Sequence, residues 1–259
     1  AIFDDVLALT LLGVLLDLHN MEGASYQAIG LQVGLTLGKV VLLIIGLVLA
    51  YRAVNFLTQQ ENFVEHQLDK LLHLMRGKEP LLAILFAFIL IFASLTEGAG
   101  LHFIIGAFFA SLLLSKELIG PKNMASFEKT THGMAMGFLA PIFFAGVGLE
   151  FQIGAIQHWG LLVAVITASF ASKLLGGYVG ARYAGLRHRK ALTLGIGLNA
   201  RGIMELVIAN IGYREGLINV EVFSILVIMA LFATFNTPLL LKGSFRWLDR
   251  LEAKENRLG

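Results

Sequence analysis

Three ionisable side chains lie inside apolar stretches of this sequence: the adjacent Asp4 and Asp5 and, far along the chain, Lys173. Placing a charged side chain at the centre of a bilayer costs roughly 2.5–3.5 kcal/mol on insertion scales, so such groups commonly mark an ion or proton path. A carboxylate suits that path because it binds either a hard cation or a proton, and protonation removes the charge that holds the cation. The three residues therefore predict cation and proton movement through a membrane. The alternative is that one or more of them reach the interface from a helix end.

The composition is that of a polytopic membrane protein. Hydrophobic residues make up 57% of the 259-residue chain and charged residues 15%, where a soluble domain averages about 25% charged residues. Several apolar stretches approach the ~20 residues that a helix needs to cross the bilayer core. The absence of cysteine excludes disulfides and thiolate metal sites. We predict an all-α polytopic membrane protein with about eight transmembrane segments, at about 1–17, 31–51, 80–96, 101–115, 134–149, 159–181, 191–212 and 219–241.

The distribution of Lys and Arg between the predicted loops indicates an orientation. If the segments alternate across the membrane, one side receives sixteen of these residues and the other side receives only Arg214. Because basic residues concentrate in cytoplasmic loops, the richer side is predicted to be cytoplasmic. The amphipathic stretch at 53–79 lies on this side and is predicted to form a helix on the membrane surface, with a plain linker as the alternative. The cytoplasmic side then carries the connections 52–79, 116–133 and 182–190 and the C-terminal tail 243–259.

The depth of the charged residues in their segments indicates which of them are buried in the membrane. Only three residues precede Asp4, and about a dozen apolar or small residues follow Asp5, which at ~1.5 Å per residue cover roughly half a bilayer. We therefore expect both aspartates near the midplane and interpret the chain as the C-terminal portion of a longer protein. A buried ammonium needs a carboxylate, and the aspartates offer one to Lys173. Lys39 lies eight residues into its own segment, and we expect a structural role for it.

The segment at 191–212 carries residues that interrupt a helix. Broken helices at membrane depth are tolerated where the freed backbone groups face protein or a water-filled cavity, and transporters place such breaks beside the ion site. Glu205 follows Arg201 by four residues, so the two share a helix face and are expected to neutralise each other. Direct ion binding by Glu205 is the alternative. The residues that favour the interruption are Gly195, Gly197, Asn199, Arg201 and Gly202.

Six stretches of the sequence carry further motifs: AIFDDVLAL, LHFIIGAFFASLLLS, APIFFAGVGLEF, SKLLGGYVGAR, LNARGIMELVIANIG and FNTPLLL. The first is similar to the paired-aspartate signature of the monovalent cation:proton antiporters, the sodium/proton exchanger superfamily. SKLLGGYVGAR resembles the lysine-bearing helix of that family, and LNARGIMELVIANIG resembles its interrupted helix. Ser111 stands where the family usually has glycine. The order and spacing of the motifs agree over essentially the whole chain before its tail.

The resemblance implies a fold and a domain organisation. Family members have about a dozen or more helices in two inverted repeats, with two interrupted helices that cross at the ion site. This chain resembles the part from the aspartate-bearing helix onward and keeps one crossing helix, near 191–212. A homodimer in the plasma (inner) membrane of a prokaryote is expected. The implied domains are a core formed by 1–20 and 159–242, a linker helix at 31–51 and a dimerisation scaffold at 80–150.

The resemblance also implies roles for individual residues. Asp5 is expected to bind the cation, Na⁺, or a proton, and Asp4 to pair with Lys173, which itself exchanges a proton. Relatives with this lysine tend to be electrogenic, so the expected function is Na⁺/H⁺ exchange by alternating access with net charge movement. We expect no enzyme activity, no cofactor besides the transported ions and no nucleic-acid partner. The residues implied to lie at the interrupted helix beside the site are Asn199, Arg201, Gly202 and Glu205.

The residues of the sequence are compatible with three other functions. The same family includes K⁺/H⁺ antiporters, and Li⁺ is a further candidate ion. A non-transporting membrane subunit would retain these charges as relics. An intramembrane aspartyl protease would need two carboxyl groups about 3 Å apart that share a proton. Adjacent residues on one helix diverge by about 100°, so Asp4 and Asp5 do not suit that reaction.

Overall fold

The computed structural model describes residues 2–19, 30–31, 33–36, 38–42, 45–46, 49, 52, 79–114, 116–200 and 203–255. Every regular element in these ranges is helical. The predicted surface segment 53–79 lies outside them except for its last residue, and the predicted segment 31–51 is described only in part. The principal helices are α1 (Ile2–His19), α2 (Glu79–Gly98), α3 (Phe103–Leu113), α4 (Lys116–Ile119), α5 (Pro121–Met134), α6 (Ala140–Glu150), α7 (Trp159–Tyr183), α8 (His188–Gly197), α9 (Ile203–Arg214) and α10 (Val220–Glu255).

Four helical stretches in the described ranges are long and apolar enough to cross a membrane: Leu81–Gly98, Pro121–Glu150, Trp159–Tyr183 and Val220–Trp247. They make the chain a helical multi-pass membrane protein. The other described helices carry more charged residues for their length or are shorter. The 18 residues of α1 include three aspartates, and α3 has only 11 residues. Eight crossings therefore remain a prediction.

The predicted connection at 116–133 is helical in the structure. It contains α4 and α5, and α5 continues through a π-helical turn at Ala135–Leu139 directly into α6. Pro141 explains the wider turn, because it has no N–H to donate to the carbonyl of Gly137 four residues earlier. The predicted tail is also helical up to Glu255, where α10 ends.

The chain divides into two compact units, 1–145 and 146–259, and the division falls within α6. In the first unit, α2 and α3 form an antiparallel pair joined by a short turn. Gly100 has a φ of +79° in that turn, and the N–H of Leu101 donates to the carbonyl of Thr96, which is the pattern of a glycine that ends a helix. The pair packs on α4 and α5 through an apolar core of Leu81, Leu85, Leu114, Ile119 and Phe127.

Gly106 allows the backbones of α2 and α3 to approach closely. It belongs to the motif LHFIIGAFFASLLLS and is buried. A Cβ at this position would lie 2.6 Å from the carbonyl oxygen of Phe92 and would also collide with the side chain of Thr96. Thr96 cannot simply move away, since its hydroxyl donates to the same carbonyl at 2.7 Å. The motif therefore has a packing role at this contact.

Gly106→Ala is expected to lower the stability of the protein by about 1–3 kcal/mol, because a methyl group would be forced against backbone in a packed contact. Thermal unfolding of the detergent-purified protein measures the loss. Gly133→Ala is the matched control: no atom lies within 4 Å of its Cβ position, and alanine favours a helix by up to about 1 kcal/mol over glycine. Equal unfolding temperatures for the two variants would contradict the packing role.

In the second unit, α8 is held between α7 and α10. A Cβ on Gly195 would lie 2.6 Å from the carbonyl oxygen of Leu174, and a Cβ on Gly177 would lie 2.8 Å from the Cα of Gly195. The helices α7 and α8 are therefore packed backbone against backbone. On its other side, α8 bonds to α10 through the buried hydroxyls of Thr193 and Ser244, which are 2.5 Å apart.

Candidate functional site

The two aspartates lie in the first turn of α1. Asp4 is exposed within the first unit and Asp5 is half-buried, because successive residues on a helix point in directions about 100° apart. The further course of α1 buries Leu9, Leu12 and Val14. The turns of α1 that follow the aspartates are thus packed into the unit.

Lys173 lies in α7, one residue before the Leu174 carbonyl that contacts Gly195. It is half-buried within the second unit. The close glycine packing of α7 on α8 therefore fixes the position of the lysine along α8, near the end of that helix. Because α7 begins at Trp159, Lys173 lies about midway along the helix, and its depth in the membrane stays a prediction.

The helix predicted to be interrupted at 191–212 is broken in the structure. Its first half, α8, ends at Gly197, and its second half, α9, begins at Ile203. The N–H groups of Leu198, Asn199 and Ala200 still donate to carbonyls three or four residues back, so the chain leaves the helix in a tightening turn. Arg201 and Gly202 lie outside the described residues, and the expected pairing of Arg201 with Glu205 stays a prediction.

Asn199 is the buried polar group at this break. Only 2% of its surface is exposed, and its Nδ2 donates to the carbonyl of Gly195 at 3.2 Å. Its Oδ1 is buried and has no hydrogen-bond partner among the described residues. A buried amide oxygen without a donor costs free energy, and such an oxygen is a suitable ligand for a hard cation.

Glu205 begins α9 on the other side of the break. It lies in the first turn of that helix and is half-buried, where the helix macrodipole favours a carboxylate. Within the second unit, Asn199 and Glu205 thus lie on either side of the break in sequence, and Lys173 lies about midway along α7, beside the end of α8. Asp4 and Asp5 belong to the first unit, so the pairing of Asp4 with Lys173 stays a prediction. In the parts of the chain that the structure describes, no three His, Asp or Glu side chains form a metal-binding group.

Lys39 lies close to Gly100, and the structural role expected for this lysine stays a prediction. Its Nζ lies 2.9 Å from the Cβ position of Gly100, beside the turn that joins α2 to α3. A larger residue at Gly100 would displace the ammonium and would also be strained at a φ of +79°. The glycine therefore leaves room for the lysine at the end of α2.

A polar cluster around Glu150 was not predicted from the sequence. The carboxylate of Glu150, at the end of α6, accepts hydrogen bonds from the Nδ2 of Asn210 at 2.5 Å and from Arg214 at 2.7 and 3.1 Å. Both donors lie on α9, four residues apart, and so face the same way. The one arginine assigned to the less basic side of the membrane is therefore half of an ion pair. Its partner is 64 residues away in sequence, so no local pattern could have identified it.

Removing the donor Arg214 and removing the acceptor Glu150 should lower the stability of the protein by different amounts. Arg214→Ala is expected to cost at most about 1 kcal/mol, because the arginine is 64% exposed and surface ion pairs contribute little. Glu150→Ala is expected to cost about 1–3 kcal/mol, because it leaves the half-buried amide of Asn210 without its acceptor. Thermal unfolding in detergent measures both losses. A larger loss for Arg214→Ala than for Glu150→Ala would show that the charge pair, and not the amide, holds α9.

A second unpredicted contact joins the α6–α7 connection to α10. The Oε1 of Glu221 accepts the backbone N–H groups of Gln157 and His158, both at 2.8 Å. The ring Nδ1 of His158 lies 3.1 Å from the same oxygen. One carboxylate thus holds the residues that precede α7 against the start of α10, which keeps the ends of these two spanning helices together.

These features define the class of the protein: a multi-pass helical membrane protein with a broken helix and ionisable groups within its apolar segments. The sequence profile of the family described as sodium/hydrogen exchanger, transmembrane, matches residues 1–247. The chain belongs to this family of cation:proton antiporters, as its six motifs indicated.

Individual members with similar sequences agree with this assignment. The chain is 33% identical over 189 residues to cation/H(+) antiporter 20 of Arabidopsis thaliana, covering 69% of this chain and 22% of the relative. It is 34% identical over 168 residues to the Na(+)/H(+) antiporter NhaS4 of Synechocystis, covering 63% and 40%. It is 30% identical over 179 residues to K(+)/H(+) antiporter 1 of Saccharomyces cerevisiae, covering 67% and 20%. The chain thus spans between a fifth and two fifths of the length of these relatives.

Proposed function

We propose that the transporter containing this chain exchanges a monovalent cation for protons by alternating access, with Na⁺ as the cation and net charge movement in each cycle. The observation that carries the proposal is the broken helix, which ends at Gly197 and resumes at Ile203. The Oδ1 of Asn199 is buried at the break and has no hydrogen-bond partner among the described residues. Free helix ends and unpaired polar atoms are stable at membrane depth where they face an ion or water. Membership of the exchanger family supports the same function.

The proposed roles of the charged residues follow the family motifs. Asp5 binds the cation or a proton in turn, since a carboxylate cannot hold both strongly. Asp4 and Lys173 form the charge pair, and Lys173 gives up its proton when the cation enters. The buried position of Asn199 and the half-buried position of Lys173 within the second unit support these roles. Transport in this scheme makes and breaks no covalent bond, so we propose neither an enzyme activity nor a cofactor.

The proposed organisation is that of the family. The core consists of 1–20 and 159–242, the scaffold of 80–150 and the linker of 31–51, arranged in an inverted-repeat fold with about eight spans in this chain and assembled as a homodimer. The C-terminus lies in the cytoplasm of a prokaryotic cell. Support for this orientation comes from the sixteen basic residues on one side and the single arginine on the other.

Exchange of K⁺ for protons is the second candidate function, because one of the similar proteins is named a K(+)/H(+) antiporter. The test uses the purified transporter in liposomes that contain a pH-sensitive dye, with Na⁺, K⁺ or Li⁺ added outside at equal concentration. We expect Na⁺ to release protons from acid-loaded liposomes at the lowest concentration. A lower half-maximal concentration for K⁺ would replace the Na⁺ proposal, and no response to any cation would favour a non-transporting subunit.

A further inference from the structure

Six exposed basic residues lie at one end of the second unit. They come from the end of α7, the start of α8 and the later part of α10, and all six are exposed to solvent. None of them belongs to the proposed ion site. We name this set the basic surface; it consists of Arg182, Arg187, Arg189, Lys190, Lys242 and Arg246.

Helix packing brings the three parts of the basic surface together. The hydroxyl of Tyr178 lies 2.7 Å from the Nδ1 of His188, which ties the start of α8 to α7. The guanidinium of Arg189 lies 5.6 Å from the ring centroid of Trp247. One turn further along α8, Thr193 bonds to Ser244. Because α8 runs antiparallel to the end of α10, its first residues lie beside the last apolar turn of that helix.

Basic residues outnumber acidic residues in the sequence around the basic surface, where the nearest carboxylate along α10 is that of Asp249, three residues after Arg246. No Asp or Glu occurs between Glu150 and Glu205, a stretch that includes all of α7 and α8. None occurs between Glu221 and Asp249 along α10. The basic surface therefore has a concentrated positive charge, which attracts anions.

The basic surface also lies at the ends of two apolar helical spans. The apolar span of α7 ends at Tyr183 and that of α10 ends at Trp247. Tyr183 is 89% exposed, Phe245 is 52% exposed and Trp247 is 42% exposed. Tyrosine and tryptophan favour the boundary between hydrocarbon and headgroups, so these rings place the adjacent arginines and lysines next to the phosphates.

We propose that the basic surface binds the headgroups of anionic phospholipids, with its arginines and lysines as donors to lipid phosphate and its exposed aromatic rings against the upper acyl chains. Arginine forms paired hydrogen bonds to phosphate oxygens, and clusters of Lys and Arg beside a membrane span bind acidic lipids. An acidic soluble partner would need the positive charge but not the exposed rings at the same level. The bound lipid would hold α7, α8 and α10 together, which carry Lys173 and the first half of the broken helix.

The test compares the thermal stability of the detergent-purified protein after addition of phosphatidylglycerol or phosphatidylcholine with matched acyl chains. A ligand that binds the folded state raises the unfolding temperature. We expect phosphatidylglycerol to raise it by several degrees more than phosphatidylcholine. This difference should fall at least twofold in the triple variant Arg187→Gln, Lys242→Gln, Arg246→Gln. Equal effects of the two lipids on the unchanged protein would overturn the proposal.

A second triple variant is the matched control, because it removes the same number of positive charges from exposed positions in the first unit: Lys116→Gln, Lys122→Gln, Lys129→Gln. It should keep the full phosphatidylglycerol effect, and a loss equal to that of the first variant would show that only net charge matters. Inorganic phosphate or polyglutamate that reproduces the effect at the same charge concentration would point to a general anion site and overturn the lipid proposal. If the first triple variant fails to fold, the single variants Lys242→Gln and Arg246→Gln are compared with Lys122→Gln in the same way.

Discussion

Asp5→Asn is expected to reduce Na⁺-driven proton movement to the level of protein-free liposomes. Asparagine has nearly the size of aspartate, but it neither takes up a proton near neutral pH nor offers a negative charge to a cation. Asp5 is half-buried in the first turn of α1, where an uncharged amide of the same shape can be accommodated. Fluorescence of a trapped pH dye after a Na⁺ pulse measures the exchange, and thermal unfolding of the same preparation confirms that the variant is folded.

Two further variants make the result specific to this carboxylate. Glu128→Gln changes an exposed carboxylate of α5 to an amide and should leave exchange unchanged. Asp5→Glu keeps the charge but moves it by one methylene, so it should retain exchange with a weaker apparent affinity for Na⁺. If Asp5→Asn keeps half or more of the exchange rate, Asp5 is not the cation ligand; if Asp4→Asn alone abolishes exchange, the two aspartates have the opposite roles.

Loss of the charge at Lys173 is expected to affect both stability and current. Breaking a buried ion pair typically costs about 3–5 kcal/mol, and exposed pairs cost far less. Since Lys173 is half-buried, Lys173→Ala should cost about 1–3 kcal/mol, measured by thermal unfolding. If the lysine also carries a transported proton, Lys173→Gln should lower the electrogenic current, measured on a solid-supported membrane, more than it lowers the total exchange. Lys122→Gln, an exposed lysine on α5, should change neither.

A double-mutant cycle tests whether Lys173 acts through Asp4. Asp4→Asn combined with Lys173→Gln removes both charges, so it should destabilise the protein by less than the sum of the two single changes. The difference should be at least about 0.5 kcal/mol for residues in contact. Strict additivity of the unfolding free energies would show that the two residues do not interact, and the electrogenic mechanism would lose its main support.

Much of the fold followed from local sequence. The apolar stretches around α2, α7 and α10 are long enough to cross a membrane by themselves, and the structure has helices there. The interruption near 191–212 was also predictable, because glycines weaken a helix locally and the polar Asn199 lies among them. For the connection at 116–133 the sequence analysis predicted a cytoplasmic location but no secondary structure. In the structure, Pro121 begins a helix there that continues into the apolar segment.

The candidate site was predictable to a different extent. Its ionisable residues could be identified from the sequence alone, because a charged residue inside an apolar stretch is unusual whatever its partner is. The motifs indicated the family, and the match of the family profile to residues 1–247 confirmed it. The position of Lys173 inside a long apolar helix also followed from the sequence, because the segment predicted at 159–181 is helical from Trp159 to Tyr183. The burial of the Asn199 amide did not follow from its position in the sequence, since burial depends on the helices packed around it.

The contacts between distant residues were decided only by the tertiary structure. Composition and periodicity determined that this chain forms membrane helices, where one of them breaks and which charges lie within them, since each of these depends on residues close in sequence. Packing decided that Gly106 is required by the backbone of a neighbouring helix and that Glu150 accepts hydrogen bonds from Asn210 and Arg214. Such contacts join residues on different helices, so the spacing of residues along one helix does not predict them. They form only once the helices that carry them have packed together.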